Sequence, residues 1–258
     1  MGEGYRAPSV EKAFRILRLL SLSERGLGIS ELAKRLSMSK GTIHGITSAL
    51  EKVGAVRRDP STKRYTLGYT LFELGRRAIG QVDLKQLARP VMENLMQKTQ
   101  ASVFLGVLNR DHVTILDVVE STSDFKITSP VGTTIPILAG AVGKVLMACL
   151  SEAQVMNIVG ALGLHKYTEH SITSPGEYFE QIRKVRDKGY AEDDEEYIPG
   201  VRAVAAPIQG LGDTLYAVWA VGFKAILDDE KMKLVARETR DAARLISRWM
   251  KKNPDLVS

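Results

Sequence analysis

The chain is poor in cysteine, in aromatic residues and in long apolar runs. Its 258 residues include one cysteine, Cys149, so no intramolecular disulfide can staple the fold and no cluster of thiolates can hold zinc. Cys149 lies in an apolar helical pattern, which predicts a small buried hydrophobe. No stretch approaches the length of a membrane span, and the N-terminal MGEGYRAPSVEKAF has no apolar signal core. A soluble, cytoplasmic protein with no membrane partner is therefore expected. The four histidines fall in no metal-ligand spacing, and no glycine-rich phosphate loop or nucleophile elbow is present. Nothing calls for a metal or a cofactor.

What the chain does have is an uneven charge. Of the 36 Lys and Arg and 30 Asp and Glu, residues 1–80 hold 15 and 7, leaving 21 and 23 for residues 81–258. A basic first third joined to a near-neutral remainder suggests a nucleic-acid module attached to something else. The stretch from Gly28 to Gly68 carries that module. Ser30 is placed to cap a short helix with Leu32, Ala33 and Leu36 on its apolar side. A tight SMS turn follows, and Ser39 or Lys40 opens a second helix. Its expected apolar stripe is Ile43, Ile46, Ala49, Leu50 and Val53, with Thr42, His44, Thr47, Ser48 and Glu51 at other angles. Gly54 stands where a helix C-cap glycine is expected. Two short strands, AVRRD and KRYTLG, flank a Pro60-Ser61-Thr62 turn.

Two amphipathic helices and a hairpin could also be an ordinary small core. The charge decides: Arg57, Arg58, Lys63 and Arg64 all fall on the hairpin, opposed only by Asp59. Helix, turn, helix and basic hairpin is the order of a winged helix-turn-helix, whose second helix enters the major groove of double-stranded DNA while the wing follows the phosphates. The candidate DNA-contacting residues are Ser39, Lys40, Thr42, His44 and Thr47 on the helix. Arg57, Arg58, Lys63 and Arg64 are the candidates on the wing.

Upstream, Ser9 is a plausible cap for a helix bearing Val10, Ala13, Phe14, Ile16, Leu17, Leu19 and Leu20, too apolar to stand alone. Downstream, residues 70–80 read as a linker helix and about 84–98 as the first helix of a second domain. Strand character follows in SVFLGVL, HVTILDVVE and FKITSPVGTTIPI. Helices are expected at about 140–150, 151–162 and 175–188, and strands at VRAVAAPIQ and LYAVWAVGF, separated by Gly210-Leu211-Gly212-Asp213. A last helix spans about 228–251. Strands, helices, strands, helix predicts an antiparallel α+β domain rather than a doubly wound sheet. The division is 1–69 for the DNA-binding head, 70–83 for the linker and 84–258 for the remainder.

Two stretches could carry chemistry. The acidic run from Glu192 to Glu196 could supply an acid–base pair, but neighbouring residues on a strand alternate faces, so few of its carboxylates can converge. A hydrolase or lyase using Asp193 and Glu195 is the enzyme alternative, and a ligand-free architectural DNA binder is a third reading. The other stretch, Pro130 to Lys144, places Gly140 and Gly143 at a helix start, where exposed amides and small residues suit an anion or simply tight packing.

Together these residues resemble the IclR family of bacterial transcriptional regulators. The resemblance rests on ISELAKRLSMSKGTIHGITSALEKVGAV, on GAVGKVLMA after a P-x-G-x-x-x-P segment, and on GYAEDDEEYIPGVRAVAAPI. It implies a winged DNA-binding domain, a linker helix and a GAF-like effector domain with an antiparallel sheet. It also implies dimers or tetramers and a small-molecule effector, not catalysis. By position, the effector cavity would involve Ile127, Ile135, Leu138, Ala141, Val142, Gly143, Asp193, Ala203, Ala220 and Gly222. Members that sense glyoxylate or pyruvate carry polar Cys and Ser where this chain has Ala203, Ala220 and Gly222, and often a histidine where it has Leu138. That predicts a larger, more apolar organic acid, its anionic end on amides near Ala141 to Gly143 and a hydroxyl or amine on Asp193.

Overall fold

The computed structural model describes residues 7–80, 84–209 and 214–252, with the backbone alone at 76–80. The chain divides into two compact units, residues 1–81 and 82–258.

The first unit contains α1 (Pro8–Ser21), α2 (Ile29–Leu36), α3 (Lys40–Lys52), β1 (Val56–Arg58), β2 (Tyr65–Leu67) and α4 (Tyr69–Gly80). Two helix starts differ from expectation. Ala7, not Ser9, is the N-cap of α1, because Pro8 occupies the first helical position, where a missing N–H costs nothing. Gly28, not Ser30, caps α2: the Glu31 carboxylate reaches back to accept the Gly28 amide at 2.9 Å, the Glu half of a capping box whose hydroxyl half a glycine cannot supply. Ser39 does cap α3, its Oγ accepting the Thr42 amide at 3.1 Å. The three helices close over Ile16, Leu20, Leu32 and Ile43, with Val56 and Tyr65 of the hairpin. Ala49 and Val53, expected inside, are exposed. Leu27 and Tyr65 exchange backbone bonds of 3.0 and 2.9 Å, tying the loop before α2 to the hairpin.

The second unit runs α5 (Leu84–Thr99), β3 (Ser102–Asn109), β4 (His112–Val119), β5 (Thr134–Pro136), α6 (Gly140–Ala148), α7 (Glu152–Leu162), α8 (Pro175–Lys188), β6 (Ala191–Asp194), β7 (Val201–Ile208), β8 (Tyr216–Phe223) and α9 (Asp229–Lys252). Its six strands form one sheet in the order β5-β4-β3-β8-β7-β6, each pair antiparallel. Of FKITSPVGTTIPI only Thr134–Pro136 is strand; prolines at 130 and 136 lack the N–H that a longer ladder needs. The expected 210–213 turn lies outside the described residues.

Apart from Arg202, VRAVAAPI and YAVWAVGF are apolar because both faces of the sheet are covered. Val204, Ala206, Val218 and Ala220 pack with Met92 and Leu95 of α5 and Val235 and Ile246 of α9. Ala203, Ala205, Trp219 and Val221 pack with Val142 and Leu146 of α6 and Ile182 of α8. Cys149 is not buried as expected. It sits exposed at the C-cap of α6, its Sγ turned back to the Val145 carbonyl at 3.3 Å.

A β-bulge interrupts β4: Asp117 pairs with Leu105 and Ile115 with Gly106, leaving Leu116 between them. Ile115 then faces the α6 side, whereas the buried Asp117 meets α5, accepting from Arg89 Nη1 at 3.2 Å and pairing with Lys85 at 3.4 Å.

Two glycines make opposite predictions. A Cβ on Gly45 would meet nothing within 4 Å, whereas one on Gly143 would collide with the Ile137 carbonyl oxygen. Gly45→Ala should therefore stabilise the first unit by about 0.5–1 kcal/mol, and Gly143→Ala should destabilise the second by about 2 kcal/mol or more. Urea unfolding of both variants beside the parent checks the two signs.

Candidate functional site

On α3, Ser39, Lys40 and His44 are exposed, and Thr42 is half-buried with its hydroxyl 2.9 Å from Ser39 Oγ. Thr47 is a correction. It is fully buried, and its Oγ1 donates to the Ile43 carbonyl at 2.8 Å, so it cannot reach a base. A threonine inside a helix readily bonds the carbonyl four residues back. The row 43, 47, 50 shares one helical face, a signal present in the sequence that the threonine's polarity masked.

On the wing, Arg57, Arg58 and Lys63 are exposed. Arg57 Nε donates to Thr66 Oγ1 at 3.0 Å, and its guanidinium lies 5.8 Å from the Tyr69 ring centroid. Arg58 lies equally far from the Tyr65 centroid, so both cations rest on aromatic supports. Arg64 is different: it donates to the carbonyls of Arg25 and Gly26 at 3.2 and 3.1 Å and pairs with Glu31 at 2.8 Å. Its charge fastens the hairpin to α2. Asp59 stays ionised at neutral pH and offsets part of the wing's charge, but among the described residues it forms no ion pair with the wing cations. Its carboxylate accepts from the Ser61 hydroxyl at 2.6 Å and from the Thr62 and Ser61 amides, bonds that hold its pKa far below the usual range. Arg25, unnoticed in the sequence, joins Arg57, Arg58 and Arg64 along one groove.

In the second unit a cavity of about 230 Å³ opens between the sheet and the start of α6. Ile127, Ile135, Ala141, Val142, Asp193 and Ala203 line it, as the resemblance implied. The other four residues do not. Leu138 packs against the same core without lining the cavity, and Gly143 serves the contact with Ile137. Ala220 is buried on the opposite face with α5 and α9, and a Cβ on Gly222 would meet Leu227 on that same face. Strand alternation puts Trp219 and Val221 into the cavity in their place. Trp219 stacks on Phe104 with ring centroids 5.5 Å apart, giving the cavity an aromatic wall that positional carry-over missed. Tyr197, Thr128 and Thr133 add hydroxyls.

Asp193 is the buried acid of this cavity. Its carboxylate accepts the Glu196 amide at 2.7 Å and lies against Gly140, where a Cβ would stand 2.5 Å from Oδ2 and φ is +59°. No L-residue side chain fits there. Burial, and then the charge of Glu196, pushes the Asp193 pKa up to about 6. The nearby cation, buried Lys144, bonds Glu196 at 2.6 Å. The rest of the acidic run is structural. Asp194 grips Arg202 through two 2.8 Å bonds, and Glu195 pairs with Lys224 and accepts the Gly200 amide. Asp193 and Glu195 thus serve separate surroundings and do not form the acid–base pair that the enzyme alternative requires. Among the described residues no group of His, Cys, Asp or Glu could hold a metal ion, and no helix is long and apolar enough to cross a membrane.

A three-helix head with a cationic wing is the architecture of a winged helix-turn-helix DNA-binding protein. The chain belongs to the IclR family of bacterial transcriptional regulators. A family model described as the IclR helix-turn-helix domain matches residues 9–60, and one described as bacterial transcriptional regulator IclR C-terminal matches residues 76–248. The chain is 32% identical over 243 residues to the HTH-type transcriptional regulator KdgR of Escherichia coli K12, covering 94% of this chain and 92% of that one. Its fold matches the IclR transcriptional regulator of Alicyclobacillus acidocaldarius with a TM-score of 0.82 at 29% identity, over 95% and 100% of the two chains. An IclR homologue of Microbacterium hydrocarbonoxydans, solved with 4-hydroxybenzoate, shares the fold with a TM-score of 0.79 at 21% identity, over 95% and 99%.

Asp193 gives stability a definite pH dependence. Its folded-state pKa of about 6 lies above the ordinary 3.8, so the folded state holds the proton more tightly. The resulting stabilisation is complete below about pH 4 and is lost as pH rises through about 6. Asp193→Asn keeps an acceptor for the Glu196 amide and cannot ionise. Between pH 4 and 7 its stability relative to the parent should rise by about 2 kcal/mol; parallel curves would place the titration elsewhere.

Proposed function

We propose that this protein is a ligand-responsive transcription factor that binds a roughly palindromic operator as a dimer or tetramer. In this reading the N-terminal end of α3 enters the major groove, with Lys40, Thr42 and His44 at the bases and Ser39 ordering that end. Arg57, Arg58 and Lys63 lie along the phosphates, and Arg64 acts indirectly by holding the wing in place. Thr42→Ala should relax sequence preference, whereas Arg58→Ala should weaken binding to all sequences and flatten the salt dependence. Thr47→Ala should cost about 1 kcal/mol of stability and leave preference unchanged. Selection from a random duplex library, followed by salt titration of the selected site, reads all three; equal losses on selected and random DNA for Thr42→Ala would reject the readout role.

The GAF-like second unit is the sensor, and its ligand is an aromatic or acyl organic acid larger than glyoxylate or pyruvate. The aromatic–aliphatic cavity of about 230 Å³ carries this reading: an engineered apolar cavity of about 150 Å³ already admits benzene. Phe104, Trp219 and Ala203 give the cavity its apolar wall, and Ala220 and Gly222 lie outside it. An anionic end is served by the first-turn amides of α6 at Gly140 to Val142, since the Gly143 amide already bonds the Ala139 carbonyl. Asp193 takes the hydroxyl. The complex of the Microbacterium relative makes 4-hydroxybenzoate the first compound to test. A ligand that prefers one arrangement of two heads changes operator affinity by that preference and no more.

Thermal unfolding against glyoxylate, pyruvate, benzoate and 4-hydroxybenzoate tests the sensor, because ligand at a hundred times its dissociation constant adds about 2.7 kcal/mol to the unit that binds it. The aromatic acids should raise the transition and quench Trp219 fluorescence. A response to the small oxo-acids alone would refute the apolar reading of the cavity.

A further inference from the structure

The second unit carries another concave site, on the α9 side of the sheet. A groove of about 750 Å³ runs between α9 and the end of β7, with Pro207 and Gln209 on one wall. Arg240, Arg244, Arg248 and Lys251 line the other. At a rise of 1.5 Å per residue the three arginines, each four residues apart, form a single row about 12 Å long. Asp241 is the one carboxylate lining the groove, and it is shared: it lies 3.8 Å from Arg244 and 4.0 Å from Arg240, both beyond hydrogen-bond length. Among the described residues Arg248 and Lys251 have no ion pair, and Arg240 Nε is removed from solvent without an acceptor. Ser247, at the floor, is already satisfied by the Gln209 amide and the Ala243 carbonyl. Four cations facing one distant carboxylate, in a unit whose whole charge is slightly negative, make a local concentration of positive potential that a concave wall strengthens.

We propose that this groove is a second ligand site, for a small molecule carrying phosphate groups. Arginine dominates the row, and its planar fork matches phosphate oxygens in pairs, which a lysine row would not do. The length of the row suits two or more phosphoryl groups rather than one. The cavity at Asp193 lies on the other face of the sheet, so the two ligands would not compete for space.

Isothermal titration of the full chain with inorganic tripolyphosphate at fixed ionic strength tests the site. The parent should bind it, and Arg244→Ala/Arg248→Ala, both exposed residues, should lose at least tenfold in affinity while keeping the parent's thermal transition. Arg57→Ala/Arg58→Ala on the wing and Asp193→Asn in the cavity should bind it as the parent does. Tripolyphosphate binding that is absent from the parent, unchanged in the α9 variant, or lost only in the wing variant would overturn the proposal. So would an α9 variant that loses affinity for a random 20-base-pair duplex but not for tripolyphosphate, which would make the row a DNA-backbone contact.

Discussion

The second unit depends on the two-residue alternation of β7 and β8 in the middle of its sheet. Ala203 is paired with Val221 and Ala205 with Trp219, so one set of side chains faces α6 and α8 and the other faces α5 and α9. Apart from Arg202 both sets are apolar, and both cores therefore grow from the same two strands. A one-residue slip of β8 would send every one of its side chains to the opposite face. It would also withdraw Trp219 from the cavity and put Ala220 there.

The same constraint explains what the sequence could and could not tell. Element order apart from β6, the antiparallel α+β class and six residues of the cavity are legible, the last through family resemblance. Ala220 and Gly222 were misplaced because correspondence of position carries no information about face. Trp219 and Val221, one residue from Ala220 on either side, follow once Ala203 is known to face the cavity. Thr47 failed in the reverse sense: its spacing pointed inward and its chemistry pointed outward, and a hydroxyl that bonds its own helix satisfies both. The loop between β4 and β5 was read as strand because its residues are β-formers. Its prolines, which cannot donate to a ladder, determine the outcome.

The head separates two uses of charge that composition merges. Arg57, Arg58 and Lys63 are cations held out on a hairpin, whereas Arg64 is consumed in fixing that hairpin to Glu31 and the loop before α2. Counting arginines therefore overstates the charge left exposed on the wing. The exposed arginines are supported from beneath by Tyr65 and Tyr69, which limits the side-chain freedom lost when they engage a rigid polyanion.

The bulge at Leu116 joins two parts of the second unit that otherwise lie on different faces of the sheet. Within two residues of one strand, Ile115 forms a wall of the cavity and Asp117 anchors Arg89 and Lys85 of α5. An unbroken strand would have sent both side chains the same way. One short stretch of backbone therefore serves both the cavity wall and the anchorage of α5. A single inserted residue thus gives one strand two allegiances, an apolar one on one face and an ionic one on the other.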